Sequence, residues 1–310
     1  VNFKLQYELQ RKKLPMGLAL VGKAFRNEIS PRNLTIRQRS FTQAELQLFF
    51  NPSKVDEHED FHAIKDVPLR TMLIGDRETN TITERTPEML LNELPKFYVY
   101  HLAKIQEFYL NVLKIPKEHF RLYQLNDKEK AFYNKFHFDI EIKVADLGFI
   151  EVGGLHYRTD HDLKGHEKVS GQKMEVLEEA TGEKFIPHVL ELSFGVDRSV
   201  YSLLDLNYQP AQERGNTVLS LPKKLTPFFC AVFPLVKNKD PITQKAKDVY
   251  KELKEAYSCF YDASSAVGRR YARADEIGVR YCITVDFDTL DDQAVTVRDR
   301  ETTKQERIPI

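Results

Sequence analysis

Arg26, Glu28, Arg37, Phe41 and Glu45 lie close together near the start of the chain, with Arg32 and Arg39 beside them. A second group, Glu191, Ser193 and Arg198, lies far downstream. Guanidinium groups fork onto phosphate oxygens, an aromatic ring stacks on a flat base, and carboxylates hold an ammonium group. The first group therefore has the chemistry of a site for a polyphosphate, a base and an amine. A third cationic cluster, Arg269, Arg270 and Arg273 around Tyr271, could grip phosphates and stack on bases, or could be a solvated helix face.

These side chains need elements that aim them. From Phe41 to Phe50 the chain alternates, with Thr42, Ala44, Leu46, Leu48 and Phe50 on one side and Phe41, Gln43, Glu45, Gln47 and Phe49 on the other. One side is expected to be core and the other a site, although charged residues at alternate positions also suit a merely solvated sheet face. Residues 25–32 read as the partner strand, and Pro31, Asn33 and the arginines between read as an irregular hairpin loop. Val189 to Ser193 reads as a strand running into a helix striped by Val196, Val200, Leu203 and Leu204, with Arg198 in its first turns. There Arg198 either serves a site or merely pairs with Asp197.

Between these blocks, Thr86-Pro87 caps a short helix, and a second runs from about Lys96 to Leu113 with a core stripe of Tyr98, Leu102, Ile105, Tyr109 and Val112. Strands return at 136–142 and 149–152, and Gly153-Gly154 is read as a break before Leu155 to Asp162. His156, His161 and His166 lack the helical pairing or cysteines of a typical zinc site, which makes metal the weaker reading. The acidic run 56–60 reads as a solvated turn.

The 310 residues have room for two domains, and 46 basic residues balance 46 acidic ones. A nucleic-acid partner would have to meet a local basic patch, since the whole molecule has no net field. No apolar run reaches membrane-spanning length, so a cytoplasmic location is the default. Cys230, Cys259 and Cys282 have no paired spacing and read as reduced, buried thiols. The apolar pattern thins between Asp205 and Pro227. Alternating strands and helices follow, so the domains are drawn as 1–220 and 221–310, with an inserted segment at about 52–125.

The string Phe25-Arg26-Asn27-Glu28-Ile29-Ser30-Pro31-Arg32, with Arg37, Arg39, Phe41 and Ala44-Glu45, resembles motif 2 of class II aminoacyl-tRNA synthetases, most closely the glycyl enzymes. Glu191-x-Ser193 through Arg198 resembles motif 3 in its glycyl form, and residues 268–278 are similar to that family's anticodon-binding domain. The resemblance implies an α/β (α+β) fold: an antiparallel-sheet catalytic domain with flanking helices, then an α/β anticodon-binding domain with a mixed sheet.

The resemblance also implies a glycine–tRNA ligase activity using ATP and Mg²⁺, in which glycine becomes glycyl-adenylate and is passed to tRNA(Gly). Arg26, Glu191 and Arg198 would be catalytic. ATP would meet Arg26, Glu28, Arg37, Phe41, Glu191 and Arg198, and glycine would meet Glu45, Glu191, Ser193 and Arg158. Glu191 would also place the metal, and Arg269, Arg270 and Arg273 would meet tRNA. Family members form homodimers through motif 1, which is absent here. The chain is therefore expected to be N-terminally incomplete and poorly active alone, either as a fragment or with a separate N-terminal fragment supplying the missing part.

Three positions depart from the family pattern. Ser40 stands where an acidic residue is usual, His156 where a small one is, and Phe132 where a histidine is. The competing expectation is a non-catalytic, synthetase-like accessory subunit that binds nucleic acid. Such a protein has no need of Arg26, Glu28, Glu45, Glu191, Ser193 and Arg198 together.

Overall fold

A computed structural model describes residues 2–178 and 181–310. It divides into two compact units, Val1–Ser202 and Leu203–Ile310. In the first unit the elements are α1 (Phe3–Leu9), β1 (Met16–Phe25), β2 (Ser40–Phe50), β3 (Leu69–Met72), β4 (Thr83–Arg85), α2 (Pro87–Leu90), α3 (Lys96–Glu107), β5 (Phe120–Gln124), β6 (Phe136–Val144), β7 (Gly148–Thr159), α4 (His161–Ser170), β8 (Val176–Glu178), β9 (Glu183–Phe185), β10 (His188–Gly195) and the start of α5 (Val196–Asn207).

Eight of these strands form one sheet in the order β1-β2-β10-β7-β6-β5-β3-β4, antiparallel except where β3 meets β5. Leu155, Phe138, Ile140 and Leu122 point to one side and are buried. Helix α3 packs there, because Tyr98, Leu102 and Ile105 recur at helical spacing and carry rings and branched chains onto the strands. Tyr98 also donates its hydroxyl to the Leu155 carbonyl at 2.8 Å. Thr86 caps α2 as its hydroxyl accepts from the Met89 amide. Val112 departs from the expected stripe: after Glu107 the chain enters a π-helical turn that rotates it toward water.

Two expectations about strands change. Residues 27–32 do not extend β1, because after Phe25 the chain turns, with the Glu28 amide bonded back to the Arg26 carbonyl at 2.8 Å. Nor does Gly153-Gly154 interrupt a strand, since β7 runs unbroken through both. A Cβ at Gly153 would stand 2.4 Å from the Ser193 carbonyl oxygen, so the glycine lets β10 approach rather than ending the ladder.

The second unit holds β11 (Tyr208–Gln209), α6 (Ala211–Arg214), β12 (Val218–Leu219), β13 (Cys230–Pro234), α7 (Asp240–Ala256), β14 (Cys259–Tyr261), α8 (Val267–Glu276), β15 (Tyr281–Val285), α9 (Thr289–Asp292), β16 (Ala294–Asp299) and β17 (Gln305–Pro309). Its five-stranded sheet, β14-β13-β15-β16-β17, is mixed: β13 lies parallel to β14 and β15, and the last two pairings are antiparallel. Residues 203–220 group with this unit, where Arg214 donates to the Arg300 carbonyl and Asn216 to Asp275. A Cβ at Gly278, whose φ is +79°, would also crowd the Leu219 carbonyl. No helix among the described residues is long and apolar enough to cross a membrane.

Candidate active site

Polar residues fall in register across the large sheet. One row runs Gln47, Glu191, His156, His137, and the next runs Glu45, Ser193, Gly154, Asp139, each opposite its neighbour in the ladder. Gln43 opposite Gly195, and Phe41 opposite Ala24, continue the same face toward the β1–β2 hairpin. Alternation places all of these on the side away from α3. Phe49 shares that face but is covered by α1, its ring 4.9 Å from that of Phe3.

At the hairpin end a cavity of ≈ 240 Å³ is lined by Arg26, Glu28, Arg37, Phe41, Ser193 and Arg198, among others. The Arg26 guanidinium carbon lies 5.6 Å from the Phe41 ring centre. Arg37 Nη1 is 3.3 Å from Glu28 Oε1, and Arg39 Nε donates to the Glu28 carbonyl at 2.9 Å, which orders a turn with no ladder of its own. Arg198 Nη1 donates to the Glu151 carbonyl at 2.7 Å and lies 3.2 Å from Glu151 Oε2, while its Nε donates to the Ile36 carbonyl. The Thr42 amide donates to Asp197 Oδ2 at 2.6 Å, tying the start of α5 to β2. Exposed pairs of this kind are weak, so an anion entering the cavity could displace Glu28 and Glu151 at small cost.

Further along the face the site becomes acidic and drier. Glu191 is only 8% exposed, and its Oε2 lies 3.2 Å from Arg158 Nη1 and accepts from Gln47 Nε2 at 3.4 Å. Burial raises the Glu191 carboxyl above its ordinary range, Arg158 opposes this, and the nearby Glu45 adds to it. Arg158 is itself fixed by Asp162 at 2.6 and 2.9 Å, and Tyr133 lies over it at 4.5 Å.

His156 Nε2 is 3.2 Å from Ser193 Oγ. Burial first, then His137 and Arg158, lower the His156 imidazole to about 3, so it stays neutral. A Cβ at Gly154 would meet this ring at 2.5 Å, so glycine there makes room for the histidine.

The structure thus gathers Arg26, Glu28, Arg37, Phe41, Ser193 and Arg198 around one cavity, and sets Glu45, Glu191 and Arg158 beside it on the same face. Sequence reading overlooked Glu151, His137, Asp139 and Tyr133, although strand alternation at 136–142 and 149–152 aims the first three toward this side. No group of three or more His, Cys, Asp or Glu among the described residues could hold a metal.

In the second unit the three arginines separate. Arg270 is 1% exposed and gives its guanidinium to the carbonyls of Pro234, Ala263, Ser264 and Ser265, so it closes a loop and cannot reach RNA. Arg273 pairs with Asp262, and Arg269 is exposed. Asp275 is buried against Arg298 at 2.8 and 2.9 Å. Replacing Arg270 by alanine should therefore destabilise this unit by roughly 3 kcal/mol, through four orphaned carbonyls. Arg269→Ala should change stability by less than about 0.5 kcal/mol. Urea unfolding of the two variants checks this, and equal midpoints would contradict it.

Residues 230–310 match the family described as anticodon binding domain. The whole chain aligns with the glycine–tRNA ligase of Pyrococcus furiosus at 34% identity over 390 positions, covering 68% of that protein. It aligns with those of Clostridium beijerinckii at 36% over 313 positions and Clostridium perfringens at 37% over 317, covering 58% of each. The archaeal alignment needs 390 positions for the same 310 residues, so it opens gaps in this chain that the clostridial alignments do not.

Proposed function

This chain belongs to the glycine–tRNA ligase family, and from that premise we propose that its large sheet binds ATP and glycine side by side and joins them as glycyl-adenylate before charging tRNA(Gly). One observation carries the reading. A basic, aromatic cavity and a buried carboxylate site share one face of one sheet, linked through Ser193. Phe41 and Glu45 are four residues apart on β2, roughly 13 Å by strand rise, the scale of a nucleotide carrying a small amino acid.

Adenine would stack on Phe41 with Glu28 at its amino group, and Arg26 would lie along the α-phosphate. Arg37 and Arg198 would exchange their carboxylate partners for the γ-phosphate. A glycine carboxylate oxygen then attacks the α-phosphorus as the bond to pyrophosphate breaks. In the second step a ribose hydroxyl of the tRNA terminus attacks the glycyl carbonyl and AMP leaves.

Neither step calls for a dedicated side-chain base, and fixed cations beside the reacting phosphate supply the acceleration. Glu45, Glu191 and Ser193 would hold the ammonium group, and neutral His156 leaves that charge balance undisturbed. In this reading the tRNA anticodon meets the second unit, and the homodimer is carried by the family resemblance.

Exchange of labelled pyrophosphate into ATP, run with a panel of amino acids, tests the assignment. Glycine should support exchange, with alanine and serine lower by more than about 100-fold, since a site that grips only ammonium and carboxylate must exclude by volume. Equal rates with alanine would overturn it.

A further inference from the structure

Phe132 is 87% exposed, an aromatic ring standing in water next to the acidic end of the site. It borders an opening of ≈ 350 Å³ shared with Tyr133, Lys135, Asp160, His161 and Lys164. The His161 ring meets Phe132 edge-on at 5.3 Å and stacks on Tyr133 at 5.5 Å. Tyr133 in turn covers Arg158, which contacts Glu191. This aromatic path leads from solvent to the carboxylate from the side away from the Arg26–Phe41 cavity. Lys135 is exposed, and Lys164, which also lines the opening, pairs with Asp160 one helical turn away at 2.7 Å.

We propose that this opening receives the single-stranded 3′ end of the acceptor RNA, with Phe132 stacking on a base and Lys135 and Lys164 meeting the adjacent phosphates. The proposal rests on the glycine-site reading above. Transfer brings a ribose hydroxyl to a glycyl group at Glu191 while the adenylate occupies the other cavity, so the RNA end needs a separate entrance. Exposed rings flanked by lysines suit unpaired nucleotides, which offer π-faces and phosphates together. An apolar protein segment would leave the lysines unused.

Binding of tRNA(Gly), intact or lacking its unpaired 3′-terminal nucleotides, should be measured for the wild-type protein and for Phe132→Ala. Loss of one base stack is worth about 1–3 kcal/mol, so Phe132→Ala should weaken intact tRNA roughly 5- to 150-fold and leave the truncated tRNA unchanged. Equal weakening of both RNAs, or of neither, overturns the proposal. Glycine-dependent pyrophosphate exchange by Glu191→Gln tests the underlying reading separately. Retained exchange would sink the glycine site whatever the RNA cycle gives.

Discussion

Replacing Arg26 by alanine should lower glycine-dependent pyrophosphate exchange roughly 100- to 1,000-fold, the scale of losing one preorganised donor to developing charge. The fall should appear in kcat more than in KM for ATP, because Phe41, Glu28, Arg37 and Arg198 still line the cavity and, in the proposed reading, would still bind the ground state. Arg26 is exposed, with its backbone amide held by the Arg39 carbonyl, so truncation should leave stability within about 0.5 kcal/mol. Lysine at this position should recover only part of the rate, having charge but no planar fork. Exchange within a few-fold of wild type in Arg26→Ala would remove this residue from the phosphate site.

Arg158→Ala should act through the ground state instead. It strips the buried Glu191 carboxylate of the guanidinium 3.2 Å away, and removing one partner of a buried pair costs about 3–5 kcal/mol. The Glu191 carboxyl is already raised by burial, and without Arg158 it should rise further. With a folded-state value above the unfolded one, the native state binds the proton more readily. The variant should therefore lose stability as pH rises through that raised value and regain it toward the ordinary carboxylate range.

Adding Glu191→Gln to Arg158→Ala should restore most of the stability near pH 7 but not the exchange activity, since glutamine offers no charge to an ammonium group. Urea midpoints across pH, with exchange on the same preparations, separate the two effects. An Arg158→Ala protein as stable as wild type at every pH would show that Glu191 does not depend on this partner.

Much of this site was legible in the chain because strand alternation is a strict period of two. Phe41, Gln43, Glu45 and Gln47 had to share a face, and Glu191 and Ser193 had to face the same way as each other. What pairing adds is adjacency: Ser193 sits opposite Glu45, and Glu191 opposite Gln47, across strands separated by more than a hundred residues.

The errors came from features that only tertiary contact decides. Gly153-Gly154 looks like punctuation until β10 is seen to press its carbonyl against the missing Cβ. Arg270 belongs to a cationic string, yet its loop curls four carbonyls around it and takes it out of solvent. Phe132 stands out in the sequence as a departure from the family's histidine, but nothing local reveals that no neighbouring element covers it. His156, a departure from the family pattern, fits because Gly154 leaves its ring the space.

The most direct measurement is a crystal structure of the protein with a non-hydrolysable glycyl-adenylate analogue. Adenine should lie against Phe41, the phosphate within hydrogen-bond distance of Arg26, and the ammonium group among Glu45, Glu191 and Ser193. An analogue bound elsewhere, or bound here with its ammonium group pointing away from both carboxylates, would contradict it.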